Sequence, residues 1–254
     1  MLGKLLKYEI PALGRSLMPL YIGWTATAVL LGLAVGPLSS TSDFMVIVTG
    51  MMYSAVATAV VVMAVVMIIQ RYKNSLLGDQ AYFYQVLPVS AAEHIASKSI
   101  SALVWILLSG VAMLLTGLVI ALFSGELLKI SLPELFRALA ELKLSGWLTV
   151  LLSIIALAFS ITKSILGIYA AITIGHQVQK HTVLASIGAY IGVLTFETCA
   201  GRILFAPISR LWYRLDDLAS FNLIMVVAIL VSAALGAVYF FICRYLMENK
   251  LNIS

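Results

Sequence analysis

Charge is what this sequence has least of. Only 11% of its 254 residues are Asp, Glu, Lys or Arg, against about 25% in an ordinary soluble domain. So few charges cannot cover a water-soluble globule of this length, because the bare apolar patches would exceed what monomers tolerate. Cysteine is equally sparse. Cys199 and Cys243 sit at the ends of apolar blocks read as facing opposite sides of a membrane, which excludes a disulfide between them. No CxxC or Cys/His cluster points to a metal. A GxxxxGK[ST] phosphate loop is missing, so ATP hydrolysis by this chain alone is not expected, and no HExxH or Ser/His/Asp set marks a catalytic residue. No internal repeat is evident, which counts mildly against inverted-repeat secondary transporters.

What the sequence does have is apolar length. Hydrophobic residues make up 62% of the chain and fall in long blocks, and a hydrocarbon layer of ~30 Å needs about 20 apolar residues as helix. Six blocks meet that length, at about 17–37, 44–69, 100–123, 147–174, 182–200 and 223–245. Backbone groups in lipid must be satisfied internally, and the alternating ten-residue segments of a strand barrel are absent, so the blocks read as helices. The expectation is an all-α integral membrane protein, a single transmembrane domain over 1–254. The first block is too long for a signal h-region, and Pro37 makes a poor cleavage neighbour, so it reads as an uncleaved span. Ahead of it, Leu2, Leu5, Leu6 and Ile10 recur at helical spacing while Lys4, Lys7 and Arg15 face elsewhere. Residues 2–15 therefore read as an interfacial helix.

An even number of spans puts both termini on one side. Placing them inside leaves Lys4, Lys7, Arg15, Arg71, Lys73, Lys98, Lys180, Arg244 and Lys250 within, against Lys129, Arg137, Lys143, Arg202, Arg210 and Arg214 outside. That agrees, weakly, with the positive-inside rule. The net charge of +5 then belongs to topology and lipid head groups, and no basic patch with interleaved aromatics points to nucleic acid. On the outer side, a capping box at Ser131 and Glu134 with Pro133 between them opens an amphipathic surface helix lined by Leu132, Leu135, Phe136, Leu139 and Leu142. The outer stretch from Arg202 to Phe221 mixes Arg210, Trp212, Tyr213 and Arg214, as suits the head-group layer.

The most unusual stretch is the inner one from Arg71 to Lys98. Gly78 ends an extension of the second span, Asp79 caps a short helix carrying Tyr82, Phe83 and Tyr84, and Pro88 stops it. Ser90 and Glu93 form a further capping box that starts the helix leading into the third span. A short helix with exposed aromatics and an acidic cap is a good anchor for a docking groove. The alternative is a folded loop whose aromatics lie among the head groups.

The run Tyr72-Lys73-Asn74-Ser75-Leu76-Leu77-Gly78-Asp79, with Leu87-Pro88-Val89-Ser90 and Ser97-Lys98, closely resembles the permease subunits of bacterial ABC-2-type exporters. Leu5-Leu6-Lys7-Tyr8-Glu9, Arg15 and Pro19-Leu20-Tyr21 look like that family's opening. Tyr169-Ala170-Ala171-Ile172-Thr173-Ile174-Gly175-His176, with Lys180-His181, looks like its junction between fourth and fifth spans. The resemblance covers most of the chain, and the outer loops and sixth span add little to it. It implies six helices per subunit in the bacterial cytoplasmic membrane. The subunit would dimerise, with a second copy of itself in preference to a different permease, and would engage two ABC ATP-binding subunits that hold ATP and Mg. It implies that residues 79–88 are the coupling helix, with Asp79, Gln80, Tyr82, Phe83, Tyr84, Pro88 and Glu93 at the ATPase contact. Relatives of this kind export amphipathic peptides, including bacteriocins and phenol-soluble modulins, and others export drugs or lipids. The expected function is export of amphipathic or antimicrobial peptides. A drug or lipid exporter of the same family and an ATP-independent secondary transporter are the alternatives.

Two charged residues fall within or beside the spans. Lys163 sits near the middle of the fourth block, where a charge costs several kcal/mol or more and normally faces a bundle interior or wet cavity. It reads either as a cavity-lining residue that meets an acidic group of the cargo, or as one that snorkels because the fourth span is broken or shifted. Glu197, near the outer end of the fifth span, reads as a partner of Arg202, with an exit-lining role as the alternative. His94, His176 and His181 fall on inner loops and read as interface residues, not metal ligands. Gly32 with Gly36, and Gly188 with Gly192, have the spacing that lets helices approach closely. Both pairs read as packing within the chain, with the dimer seam as the alternative for the second.

Overall fold

The computed structural model describes residues 2–37, 43–76, 90–125, 144–178, 181–212 and 217–249. The expected coupling helix at 79–88 and the outer amphipathic helix over 131–142 lie outside the described residues. Among the described residues there are six helices and no strand: α1 Leu2–Val35, α2 Asp43–Leu76, α3 Ala91–Phe123, α4 Leu144–Gly175, α5 Thr182–Trp212 and α6 Asp217–Asn249. Each contains a stretch long and apolar enough to cross a membrane, so the chain is a multi-pass helical membrane protein.

The helices outrun the hydropathy blocks. The shortest has 31 residues, or roughly 46 Å of helix, against ~30 Å of hydrocarbon. The residues read as an interfacial helix and a first span form one unbroken helix, α1, with Pro11 and Pro19 inside it. Helix α5 runs on to Trp212, where the sequence reading ended the span at Ala200 and placed a loop from Arg202. Hydropathy reports depth in lipid, whereas Arg, Leu and Ala are good helix formers at any depth.

The described residues divide into two compact units. One comprises Lys7–Ile68 and Val104–Leu142. Its core is Leu13 and Leu17 of α1, Ala64 of α2 and Trp105 of α3, with Ile10, Leu20, Tyr21 and Met67 packed around them. Gly14 makes this possible, since a Cβ there would lie 2.6 Å from the Trp105 ring. The indole lies along α1, and its Nε1–H donates to the Ile10 carbonyl at 2.9 Å. Further along the same pair of helices, a Cβ on Gly32 would lie 2.8 Å from Phe123 Cβ, and one on Gly36 would lie 2.6 Å from Ser124 Cα. This first glycine pair therefore packs within the chain, as its spacing predicts. Hydroxyl pairs tie the unit elsewhere, Tyr21 with Ser109 at 2.6 Å and Tyr53 with Thr116 at 3.0 Å.

The other unit comprises Met1–Leu6, Ile69–Leu103 and Lys143–Ser254. Helix α4 is its centre, packed against both α5 and α6. Gly167 lets the helices close up, with Tyr239 of α6 and Val193 of α5 each 3.5 Å from where its Cβ would be. Gly175 ends α4 with no room for a side chain, because Ser186 of α5 occupies that position. The second glycine pair behaves differently. Nothing lies within 4 Å of a Cβ at Gly188 or Gly192, and no residue from Thr182 to Ile203 is buried. The expectation that this pair packs within the chain is not met, because α5 reaches α4 through other positions.

Gly→Ala in an open helix normally stabilises by about 0.5–1 kcal/mol. At Gly110, where nothing lies within 4 Å, Gly110→Ala should raise the melting temperature in detergent. Gly14→Ala should lower it, since the added methyl displaces the Trp105 indole. Melting followed by tryptophan fluorescence reads both.

Candidate functional site

The fourth helix carries its lysine into the bundle. Helix α4 runs unbroken from Leu144 to Gly175, so Lys163 is neither at a helix end nor beside a break. Its Nζ donates to Glu197 Oε2 at 2.7 Å, and the two side chains are 16% and 18% exposed. The other carboxylate oxygen, Oε1, accepts from the Tyr239 hydroxyl of α6 at 3.0 Å. Glu197 is thus bracketed by a cation from α4 and a hydroxyl from α6. It does not pair with Arg202, as the sequence reading preferred. Arg202 lies further along α5 and is exposed, whereas Lys163 faces Glu197 across the α4–α5 hairpin.

Depth explains the match. Roughly 18 Å of helix separates Lys163 from Gly175 and roughly 22 Å separates Thr182 from Glu197. Counting outward from the hairpin puts both charges at similar depth, a signal the sequence held. Tyr239 carried no such signal. It lies on a third helix, and only the fold brings it to Glu197.

Two cavities adjoin the pair. One of about 240 Å³ is lined by Lys163, Thr162 and Ser232 with Phe159, Phe240 and Phe241. The other, about 260 Å³, lies against Lys163, Glu197, Thr198 and Ser232, with Leu194 and Val231 among its apolar walls. Lys163 borders both, so the lysine and glutamate reach one cavity together and the lysine alone reaches the other. Lys163 was expected to meet an acidic group of a cargo, and here it meets one of its own chain.

A second polar cluster lies nearer the Gly175 end. Tyr72 of α2 stacks on Tyr169 of α4, ring centroids 3.8 Å apart and planes 9° from parallel. The Tyr72 hydroxyl shares a hydrogen bond of 2.9 Å with Thr173. Cys243 of α6 is buried and within hydrogen-bonding reach of Tyr72. Tyr72, Tyr169 and Thr173 stand in two of the runs that carry the resemblance, and the fold brings those runs together. Just beyond, the His176 Nδ1–H donates to the Ile172 carbonyl at 3.3 Å. Partial burial pushes its pKa below the ordinary histidine value, with the nearby Lys73 charge acting the same way against that hydrogen bond.

Of the residues expected at the ATPase contact, Asp79, Gln80, Tyr82, Phe83, Tyr84 and Pro88 lie outside the described residues. Glu93 is described, and it caps α3. The Ser90 N–H donates to Glu93 Oε2 at 3.3 Å, and the Glu93 N–H donates to Ser90 Oγ at 3.3 Å. This is the capping box the sequence predicts. His94, read as an inner-loop residue, is instead buried within the first turn of α3, because the helix starts as soon as the box closes. Among the described residues no group of three or more His, Cys, Asp or Glu side chains is placed to hold a metal ion, and Cys199 and Cys243 are both free thiols. Compared with known proteins, the chain matches no family profile, no curated protein and no solved structure.

Removing one partner of a buried ion pair leaves an uncompensated charge, whereas replacing both with apolar residues of similar size is often neutral. Lys163→Ala should therefore destabilise the protein by about 3 kcal/mol, the lower end of the usual range because the pair is partly exposed. The double variant Lys163→Met/Glu197→Met should melt above Lys163→Ala but below wild type, because the buried Tyr239 hydroxyl loses its acceptor. Thermal melting of the purified proteins in one detergent measures both.

Proposed function

We propose that this chain is the membrane-spanning permease subunit of an ATP-driven exporter of the ABC-2 type, with amphipathic peptides as its cargo. It sits in the bacterial cytoplasmic membrane with both termini in the cytoplasm. The observation that carries the reading is the Lys163–Glu197 pair, held among three apolar helices and bordered by two cavities. Intramembrane charges of this sort mark transport pathways and face bundle interiors or wet cavities. The six spanning helices fit the same reading. So does the resemblance of the runs beginning at Tyr72 and Tyr169, whose first residues stack on one another.

In this reading the chain supplies a path and two conformations, and bond chemistry belongs to its partner. ATP and Mg bind a separate ABC ATPase, which grips residues 79–88. Closure of two ATPases moves that segment, and α2 and α3, which flank it in sequence, transmit the movement. Coupling needs two global states with different contacts in each. An ion pair linking α4 to α5 is an element whose making and breaking distinguishes such states. A second copy of the chain completes the pathway, and the uncovered face of α5, with Gly188 and Gly192, is available to it or to lipid. An ATP-independent secondary transporter is the rival that the same ion pair allows, because such transporters also place charges at this depth.

Co-purification separates the two. The tagged chain, co-expressed with an ABC ATPase of its own host, should bring that ATPase through detergent purification, and Tyr82→Ala and Tyr84→Ala should weaken the association. Wild-type protein that brings no ATPase with it would shift the assignment to the secondary transporter.

A further inference from the structure

The cavity beside both charges has a composition that selects its occupant. At about 260 Å³ it falls below the roughly 300–1,000 Å³ of sites that enclose a drug-sized molecule. It can take side chains from one short stretch of a larger ligand and no more. Its walls are Leu194 from α5 with Ala228, Val231 and Leu235 from α6, and its polar groups are Lys163, Glu197, Thr198 and Ser232.

The charges within it sum to zero, and that restricts what can enter. A ligand with a single charge would leave one net charge in a low-dielectric site, which is strongly disfavoured. A wholly apolar ligand would leave the pair closed and gain nothing from it. A ligand offering one cation and one anion could exchange partners with the pair, its anion meeting Lys163 and its cation meeting Glu197, and every charge would stay compensated. Lys163 has capacity for this, since an ammonium carries three donors and its recorded hydrogen bond goes to Glu197 Oε2 alone. Tyr239 would hold the carboxylate in place during the exchange through Oε1.

We propose that this cavity is a recognition site for a segment of amphipathic peptide that carries a basic and an acidic side chain together beside an apolar one. On a helix, Lys and Glu four positions apart present their charges side by side, with Cβ atoms about 5–6 Å apart. The inference rests on the peptide-export reading and names what the site reads in its cargo. A zwitterionic phospholipid carries the same charges, and the lipid arm of the experiment below separates it from the peptide.

Binding to the purified protein in phosphatidylglycerol nanodiscs tests this directly. The probe is a fluorescent apolar helical peptide with one Lys and one Glu four residues apart, compared with the same peptide carrying Gln at both positions. Wild type should bind the charged peptide at least tenfold more tightly than the Gln peptide. Lys163→Met/Glu197→Met, checked for folding by size-exclusion chromatography, should bind the two equally. The charge-exchanged Lys163→Glu/Glu197→Lys protein should retain the preference. Equal binding by wild type, or a preference that survives in the double-methionine variant, would overturn the proposal. Displacement of the charged peptide by monomeric dodecylphosphocholine would also overturn it and assign the site to lipid. The assay needs no ATPase. Loss of the preference with ATPase co-purification intact removes this inference alone, and absence of the ATPase removes the exporter reading.

Discussion

Inside a hydrocarbon layer no water is available to bond a peptide N–H or C=O, and each group left unmet costs several kcal/mol. Everything else in this chain follows from that constraint. It makes the six apolar stretches helices, and it keeps them helical where the sequence carries residues that would break a helix in water. Pro19, within the first apolar block, stays inside α1. The same constraint governs side chains. Thr49, Ser54, Thr58, Thr162, Ser164, Thr195 and Thr198 all return their hydroxyls to carbonyls three or four residues earlier. A charge has no such local recourse, so Lys163 needs a partner from another helix.

With lipid as the solvent, apolar area alone does not draw helices together, and close contact does the work. The contacts here are built from glycine and aromatic rings. Gly14 admits the Trp105 indole, Gly32 and Gly36 admit the backbone of α3, and Gly175 admits the start of α5. The helix faces left uncovered are as telling. From Thr182 to Ile203 no residue of α5 is buried, and nothing lies within 4 Å of a Cβ at Gly188 or Gly192.

Much of this was legible in the sequence, for a definite reason. The hydrocarbon thickness imposes a length on each apolar block, and the blocks marked all six helices. The Ser90–Glu93 cap was also legible, because its partners lie three residues apart and declare themselves locally. Helix ends were not legible where hydropathy stopped before the helix did, as at Ala200 against Trp212. Lys163 announced itself by its position, yet Glu197 was assigned to Arg202 because sequence proximity stood in for spatial proximity. Counting both residues from the α4–α5 turn would have paired them. Tyr239 could not be found that way, since its place beside Glu197 depends on how α6 lies against α4. The stacking of Tyr72 on Tyr169 was equally hidden, although both residues stood in runs already singled out.

The account joins one polar device to one source of energy. In the proposed function the Lys163–Glu197 pair would change its charge pairing between two states, and the proposed ATPase would provide the work that moves the chain between them. Transport in proteoliposomes tests that union most directly. The chain would be reconstituted with its ATPase, and movement of a labelled amphipathic peptide across the membrane would be followed with ATP, with a non-hydrolysable analogue and with an ion gradient alone. The account predicts movement with hydrolysable ATP only. Movement driven by an ion gradient without ATP would contradict it.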